Sequence, residues 1–382
     1  MPARDVAIVG VAESDLGVTG LSIFDLQSQA VSRALADAGL ELSDVDGFAT
    51  AGVSRMSAAQ MSEYLGLSPR WVSSTMEGGA SFELFVQDAV DAIRAGRCEV
   101  ALISYGSNQR SAASRSLGGL AEDHTPLTQF ESVVGPLWPL STYAMAATRY
   151  LHDSDATHAA LAEVAIAARE WALLNPAAYR YGSGPLTMED IDASPMISTP
   201  LRATDCCLVL DGGGAIVLTT AERAATLRPG PVIVQGSGAA ITHVSATQMP
   251  DLTMPAASES GRQALSEARV GISDIDVVQV YDSFTITVLL TLEALGFSDR
   301  GGASELIANG AIRPGGSLPL NTSGGGLSYN HPGMFGILLI VEAVRQLRGE
   351  ATGRQVDNAK TALVHGTGGV FSSHGTLVLG VS

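Results

Sequence analysis

The segment Gly324-Gly325-Gly326-Leu327-Ser328-Tyr329-Asn330-His331-Pro332-Gly333 is the most specific pattern in this chain. It follows Asn321-Thr322-Ser323, so an asparagine, three glycines and a histidine stand in one short stretch. Two other polar segments flank it, Tyr281-Asp282-Ser283-Phe284 upstream and His365-Gly366-Thr367-Gly368-Gly369 downstream. The upstream segment comes directly after the apolar run Val277-Val278-Gln279-Val280, and polar groups at the end of a strand are typical of catalytic sites. The polar groups of these segments are therefore candidate site residues.

One helix-and-strand pattern occurs twice along the chain. Residues 34–46 correspond to residues 264–276, and six of the thirteen pairs are identical. A second pair of matching segments, residues 89–96 and 343–349, follows in the same order, and an apolar strand comes next in both copies. Chance similarity between amphipathic helices is the alternative, but the shared order of two matches weighs against it. The sequence predicts an α/β protein with two related halves and a buried mixed sheet.

The expected halves are residues 1–225 and 230–382, joined at Arg228-Pro229-Gly230-Pro231. Residues 108–200 have no counterpart in the second half, and we interpret them as an insertion that caps the site.

Each half has a glycine-rich turn before a long helix, at Glu77-Gly78-Gly79-Ala80 and at His331-Pro332-Gly333-Met334. A helix N-terminus presents unpaired backbone N–H groups and the positive end of the helix dipole. If the two turns meet, they can stabilise negative charge on a substrate oxygen.

Charge and composition exclude several classes of protein. The formal net charge of -17 argues against a nucleic-acid binder and mildly against binding to an anionic membrane. The sequence contains no run of about 18 apolar residues, so no transmembrane helix is predicted. The first ten residues do not resemble a signal peptide. The cysteines Cys98, Cys206 and Cys207 form neither a disulfide framework nor a metal-binding pattern. We therefore expect a cytoplasmic protein without a metal site.

The three polar segments, in their order and spacing, resemble the C-terminal half of the thiolase superfamily in its sterol-carrier-protein-X, or lipid-transfer-protein, branch. Asn330-His331-Pro332-Gly333 is similar to the thiolase Gly-His-Pro-Leu-Gly segment, and Asn321 with the glycines that follow fits the Asn-x-x-Gly-Gly pattern. The resemblance implies a thiolase fold of five layers, αβαβα, with an inserted loop domain. It also implies a homodimer formed through the N-terminal half.

The two catalytic cysteines of thiolases are absent. Glu77-Gly78-Gly79-Ala80-Ser81 resembles the thiolase Cys-x-x-Gly-Ser segment and places Glu77 at the nucleophile. His365-Gly366-Thr367-Gly368-Gly369 is similar to the Cys-x-Gly-Gly segment and places Gly366 at the acid/base cysteine. A carboxylate at the nucleophile position cannot form a persistent acyl-thioester, so covalent thiolase chemistry is not expected.

The resemblance also implies roles for individual residues. His331 would hold the thioester oxygen, and Tyr281 stands where thiolases have the first residue of an Asn-Glu or His-Asp pair. A phenol has a pKa of about 10, but beside donors or a helix end it can act as acid or base. Tyr329, two residues before His331, is a second unusual tyrosine. The alternative for both tyrosines is simple packing. The other expected substrate contacts are Glu77, Asp282, Gly366, Gly368, Gly369 and His374, of which His374 has a purely structural alternative.

A site that stabilises a thioester enolate without a nucleophile can break a carbon–carbon bond by aldol chemistry. Within the family, the sequence resembles the cysteine-less group that contains steroid side-chain aldolases. This implies retro-aldol cleavage of a β-hydroxyacyl-CoA, with Tyr281 taking the hydroxyl proton and Tyr329 as the complementary acid. The implied partner is a small OB-fold, zinc-ribbon protein, and coenzyme A enters only as part of the substrate. An acyltransferase with another nucleophile and a non-catalytic lipid or acyl-CoA carrier remain as alternatives.

Overall fold

The fold is described from a computed structural model, which covers residues 5–52, 55–114, 125, 127–136, 138–227 and 230–381. The strands are β1 (Val6–Glu13), β2 (Gly47–Thr50), β3 (Trp71–Ser73), β4 (Val100–Ser107), β5 (Met196–Ser198), β6 (Leu201–Arg202), β7 (Gly212–Thr220), β8 (Val232–Ile241), β9 (Val277–Val280), β10 (Thr361–Gly368) and β11 (Ser373–Gly380). The helices are α1 (Ile23–Ala38), α2 (Ser57–Leu65), α3 (Ser81–Arg94), α4 (Leu140–Asp153), α5 (His158–Leu173), α6 (Met188–Ala193), α7 (Ala221–Ala224), α8 (Ala257–Ala268), α9 (Thr285–Leu295), α10 (Ala303–Ile307) and α11 (Gly336–Arg348).

Nine strands form one mixed sheet in the order β3-β2-β4-β7-β1-β8-β11-β10-β9. The order is symmetric about the antiparallel β1–β8 pair, so that β1, β7, β4 and β2 correspond to β8, β11, β10 and β9. Each of these two sets of four strands is called a block. Within each block the outermost pair, β2–β4 or β9–β10, is parallel, and the inner pairs are antiparallel. The symmetry confirms the predicted α/β fold with two related halves.

The repeated sequence also forms the same local structure in both halves. The carboxylate of Asp46 accepts the N–H of Val100 at the start of β4, at 2.9 Å. In the second half, the carboxylate of Asp276 accepts the N–H of Thr361 at the start of β10, at 3.0 Å. Each aspartate therefore fixes the strand that leads toward the site in its own half.

Helices α3 and α11 form the central layer. Their apolar side chains pack in one cluster with strand residues from both blocks of the sheet. Helices α1 and α2 cover the outer face of the first block. Helices α8 and α9 cover the outer face of the second block, with α4 and α5 packed against them. The chain thus has the five layers, αβαβα, that the sequence predicts.

The predicted insertion contains α4, α5 and α6, and α5 packs against both α9 and the turn at Gly325–Tyr329. Residues 115–124, 126 and 137 of the insertion lie outside the described residues, as do Arg228 and Pro229 of the predicted join and the first four residues of the chain. Within the described ranges, no helix has both the length and the apolar character needed to cross a bilayer.

Candidate active site

A cavity of about 270 Å³ opens where the starts of the two central helices meet the ends of β9 and β10. Both glycine-rich turns contribute to its wall, as the sequence predicts, and so does the insertion. Of the predicted site residues, the cavity brings together Tyr281, His331, Gly368 and Gly369. Its full lining is Met76, Gly78, Gly79, Gln109, Trp138, Pro139, Tyr143, Cys207, Val209, Tyr281, Ser283, Phe284, His331, Gly333, Met334, Thr367, Gly368 and Gly369.

A hydrogen-bonded pair of side chains, Tyr281 and His331, lies in this wall. The Tyr281 hydroxyl is 2.9 Å from His331 Nε2, and the two rings meet edge to face. The same hydroxyl accepts the N–H of Phe335, at 3.2 Å, and lies 3.3 Å from the carbonyl of Gly333. The phenol oxygen is thus held by the first residues before α11, which is where the helix has its unpaired donors.

Gly79 makes room for the Tyr281 ring. A Cβ atom on Gly79 would lie 2.0 Å from Tyr281 Cε2 and 2.5 Å from the carbonyl oxygen of Thr367. Any side chain at position 79 would displace the phenol from His331. The turn before α3 therefore positions a side chain that belongs to the other half of the chain.

Burial keeps both members of the Tyr281–His331 pair neutral. Desolvation lowers the pKa of His331 to about 4, so the imidazole is unprotonated at neutral pH. Desolvation also raises the pKa of Tyr281 well above the ordinary value of a phenol. A neutral imidazole can accept a proton from a neutral phenol while that phenol accepts one from a bound substrate. The pair can therefore act as a proton relay.

Asp282 lies outside the cavity lining although it adjoins Tyr281. Its carboxyl group accepts the N–H groups of Gly326, at 2.7 Å, and Leu327, at 3.2 Å. Burial raises the pKa of Asp282 to about 7, and these N–H groups act in the opposite direction. Asp282 thus ties β9 to the glycine-rich turn that precedes His331.

Tyr105, near the end of β4, contacts the segment that follows His331, although the sequence did not predict it as a site residue. Its hydroxyl donates to the carbonyl of Pro332, at 2.6 Å, and accepts the N–H of Met334, at 3.1 Å. Tyr105 is fully buried in the central layer. It therefore fixes the segment between His331 and α11 from the first half of the chain.

Tyr329 is not among the residues that line the cavity. Its hydroxyl donates to Glu13 Oε1 at 2.6 Å, and Glu13 forms an ion pair with Arg345. Burial, followed by the charge of Glu13, raises the pKa of Tyr329 well above its ordinary value. The structure therefore places this phenol in a buried polar cluster between β1 and α11, with Glu13 and Arg345.

Three other predicted contact residues also lie outside the lining. The backbone carbonyl of Glu77 accepts the Ser373 hydroxyl at 2.8 Å, so the turn before α3 is held by its main chain. Gly366 lies within β10 and is buried. His374 Nδ1 is 3.2 Å from His365 Nε2, and its Nε2 is 3.0 Å from the carbonyl of Phe371. This arrangement corresponds to the structural alternative for His374.

Tyr143, Ser283 and Cys207 line the cavity and were not expected there. The Tyr143 hydroxyl donates to the carbonyl of Gly369 at 3.0 Å, and its ring packs against Phe284 with 4.5 Å between centroids. Burial raises the pKa of Tyr143 to about 12. Burial also raises the pKa of the Cys207 thiol, which therefore stays protonated and poorly nucleophilic at neutral pH.

A larger surface depression of about 550 Å³ lies along α4, beside Met145, Arg149 and His152. None of the predicted site residues lines it. Because titratable groups with shifted pKa values gather in the smaller cavity, the chemistry is assigned to the smaller one.

Known proteins with similar sequences belong to the family that the fold and the site segments indicate. Residues 238–381 match the family of thiolase C-terminal domain-like segments. The 17-hydroxy-3-oxo-4-pregnene-20-carboxyl-CoA lyase of Mycobacterium tuberculosis is 35% identical, over 96% of this chain and 98% of the relative. This chain belongs to the thiolase superfamily. Another relative in the superfamily, a steroid side-chain-cleaving aldolase of Thermomonospora curvata, is also 35% identical, over 95% of both chains.

A solved structure in the thiolase superfamily, described as an Ltp2-ChsH2(DUF35) aldolase, has the same fold. It superimposes with a TM-score of 0.90 at 32% identity and covers 100% of this chain and 98% of the other. The predicted thiolase fold is thereby confirmed. The predicted likeness to steroid side-chain aldolases is also confirmed by these named relatives.

Proposed function

We propose that this chain cleaves the β-hydroxyacyl-CoA thioester of a steroid side chain by a retro-aldol reaction. The products are a steroid ketone and a short acyl-CoA such as propionyl-CoA. The observation that carries this proposal is the neutral Tyr281–His331 pair in the cavity wall, in a chain that has Glu77 and Gly366 at the two positions where the thiolase resemblance expects cysteines. Such a site has a proton relay, and Cys207 in its lining is held as a neutral thiol. The printed names of the relatives support the same class of substrate.

The first step removes the proton of the β-hydroxyl group. Tyr281 accepts this proton while its own proton passes to His331 Nε2, 2.9 Å away. The N–H of Phe335 stabilises the negative charge that develops on the phenol oxygen. Transfer through the phenol avoids a free phenolate, which burial makes costly in this cavity.

The second step breaks the Cα–Cβ bond. The electron pair of the new alkoxide forms the ketone, and the bonding pair of Cα–Cβ moves into the thioester as an enolate. The turns before the two central helices, Gly78–Ala80 and Gly333–Phe335, contribute residues to the cavity wall, and the positive ends of these helices can stabilise negative charge on the enolate oxygen. A proton then adds to Cα and gives the acyl-CoA product.

The cavity wall suits a large apolar group beside these polar ones. Trp138, Val209, Phe284 and Met334 form apolar parts of its lining, and Ser283 is a hydroxyl beside Tyr281. The cavity is smaller than the whole substrate. Because the cavity is open on one side, the ring system and the coenzyme A chain can extend out of it.

For assembly, we propose a homodimer that also binds a small OB-fold, zinc-ribbon protein. Strand β3 lies at the edge of the sheet, beside the first block, and Val72 within it is half exposed. An unpaired edge of this kind can pair with a second copy. The two-component description of the superimposed aldolase supports a second protein.

The direct test is a product assay with β-hydroxyacyl-CoA thioesters of steroid side chains. The purified chain, with and without an OB-fold partner, should release the ketone and the short acyl-CoA in equal amounts. Release of neither product under both conditions, with tight acyl-CoA binding retained, would favour the carrier alternative.

A further inference from the structure

Glu83, in the first turn of α3, is a buried carboxyl group that the mechanism above does not use. Only 1% of its surface is exposed. Neither carboxyl oxygen has a hydrogen-bond partner among the residues that the structure describes. Burying an ionisable group without a partner costs several kcal/mol, and an apolar side chain would fill the same space without that cost. Packing alone therefore does not explain a glutamate at this position.

Three glycines from three elements create the space that holds Glu83. A Cβ atom on Gly366 would lie 2.1 Å from Glu83 Oε2, and one on Gly336 would lie 2.7 Å from the same oxygen. A Cβ atom on Gly375 would lie 2.6 Å from Glu83 Cβ. Alanine at any of the three positions would displace the glutamate. The carboxyl group thus occupies the volume that a side chain of residue 366 would fill.

This carboxyl group lies directly behind the proton relay. Gly366 lies between His365 and Thr367. The carbonyl of His365 accepts the N–H of Tyr281, and Thr367 lines the cavity. Gly336 follows Phe335, whose N–H binds the Tyr281 hydroxyl. Glu83 itself does not line the cavity, but its carboxyl group lies where a Cβ atom of either glycine would stand, one residue along the chain from Phe335 and Thr367.

Burial also controls the protonation state of this group. Desolvation raises the pKa of Glu83 to about 8, so the carboxyl group carries a proton at neutral pH. Its own backbone N–H, in the first turn of α3, favours the charged form, but burial outweighs it. A neutral carboxylic acid beside a site that generates a carbanion is equipped to donate a proton.

We propose that Glu83 is the acid that protonates the enolate carbon after carbon–carbon cleavage. The inference rests on the retro-aldol function proposed above. The Oε–H bond of Glu83 breaks, and its proton forms the new C–H bond with the electron pair of the enolate. The carboxylate that remains regains a proton from water, and protonated His331 returns the hydroxyl proton to water. Protons therefore balance over one turnover without a co-reactant.

The test is deuterium uptake at Cα of propionyl-CoA in D₂O, followed by mass spectrometry. This exchange reverses the protonation step and needs no carbon–carbon cleavage, so it is read separately from the aldol assay. Glu83→Gln keeps the shape of the side chain and removes the acid. We expect exchange to slow by about 100-fold or more, the lower end of the usual contribution of general acid–base catalysis. Asp88→Asn, which removes an exposed carboxylate from the same helix, is the matched control and should exchange like the wild type.

A second variant separates chemistry from folding. Glu83→Ala leaves a hole beside three glycines that formic acid can fill. Restoration of exchange by added formate in Glu83→Ala, with no effect on Asp88→Asn, supports the assignment even if Glu83→Gln folds poorly. Exchange within threefold of the wild type in Glu83→Gln overturns it. Absence of exchange in the wild type, or loss of exchange in Glu83→Ala that formate does not restore, also overturns it.

Discussion

Replacing Tyr281 by Phe removes one hydroxyl group and leaves the ring against Gly79 and Phe335. The lost atom is the one that contacts His331 Nε2 at 2.9 Å and accepts the N–H of Phe335 at 3.2 Å. If the phenol relays the hydroxyl proton, the rate should fall by about 10²- to 10⁴-fold. At 1.36 kcal/mol for each factor of ten, this corresponds to ~3–5 kcal/mol of lost transition-state stabilisation.

The same substitution has a smaller effect on folding. The buried N–H of Phe335 loses its acceptor, and leaving such a donor unsatisfied costs about 1–3 kcal/mol. We therefore expect a folded variant with a lowered melting temperature. The loss of rate should appear mainly in kcat, because the proton moves in the transition state rather than on binding.

Steady-state cleavage of a β-hydroxyacyl-CoA, with near-ultraviolet circular dichroism as the folding check, measures both effects. Tyr329→Phe is the matched control, since it also removes a buried phenol hydroxyl, but one bonded to Glu13 away from the cavity. The control should lose stability and keep kcat within about threefold of the wild type. Wild-type kcat in Tyr281→Phe, or an equal loss of kcat in both variants, would refute the relay.

Other substitutions and conditions test the remaining parts of the site. Because the pKa of His331 is about 4, the activity of the folded protein should be constant between pH 5 and 7. It should fall as pH falls through about 4, since a protonated ring no longer accepts a proton; a pH–rate profile measures this. Cys207→Ala should keep kcat within about threefold, because its thiol is protonated; a variant without turnover but with an intact fold would contradict this. The folded pKa of Glu83, about 8, exceeds its unfolded value, so its contribution to stability is complete below about pH 4 and is lost as pH rises through 8. Glu83→Gln should remove this dependence, which is worth ~3 kcal/mol between pH 6 and pH 9, in denaturant titrations at those two pH values.

The sequence predicted the parts of the site that are encoded by short, local patterns. The repeat of residues 34–46 at 264–276 gave the two halves, because aspartates at the same place in each copy bind the start of the next strand. Tyr281 and His331 were found because a strand end and a glycine-rich turn have clear signatures. Residues that depend on side-chain direction were harder to predict.

Asp282 and Tyr329 show that closeness in sequence to a site residue does not determine where a side chain points. Successive side chains of an extended chain point in opposite directions, so Tyr281 faces the cavity and Asp282 faces the glycine-rich turn. Tyr329 ends the turn at Gly325–Tyr329, where alternation does not hold, and closeness to His331 in sequence did not bring the two side chains together.

Tyr143 and Glu83 show what sequence alone leaves out. Tyr143 belongs to the insertion, which has no copy in the second half from which its position could be inferred. Glu83 lies on a helix whose other buried side chains, Ser81 apart, are apolar, and a single glutamate there resembles an ordinary surface position. Only the three glycines that surround it, each from a distant segment, identify its site.

Cleavage of a β-hydroxyacyl-CoA in D₂O tests the central claim most directly. A retro-aldol reaction through an enolate predicts equal amounts of ketone and acyl-CoA, one deuterium at the α carbon of the acyl-CoA in a single turnover, no requirement for free coenzyme A, and no acyl adduct in the mass of the intact chain. Cleavage that requires free coenzyme A, or an acyl group attached to the chain during turnover, would contradict the account and return the chain to thiolase chemistry.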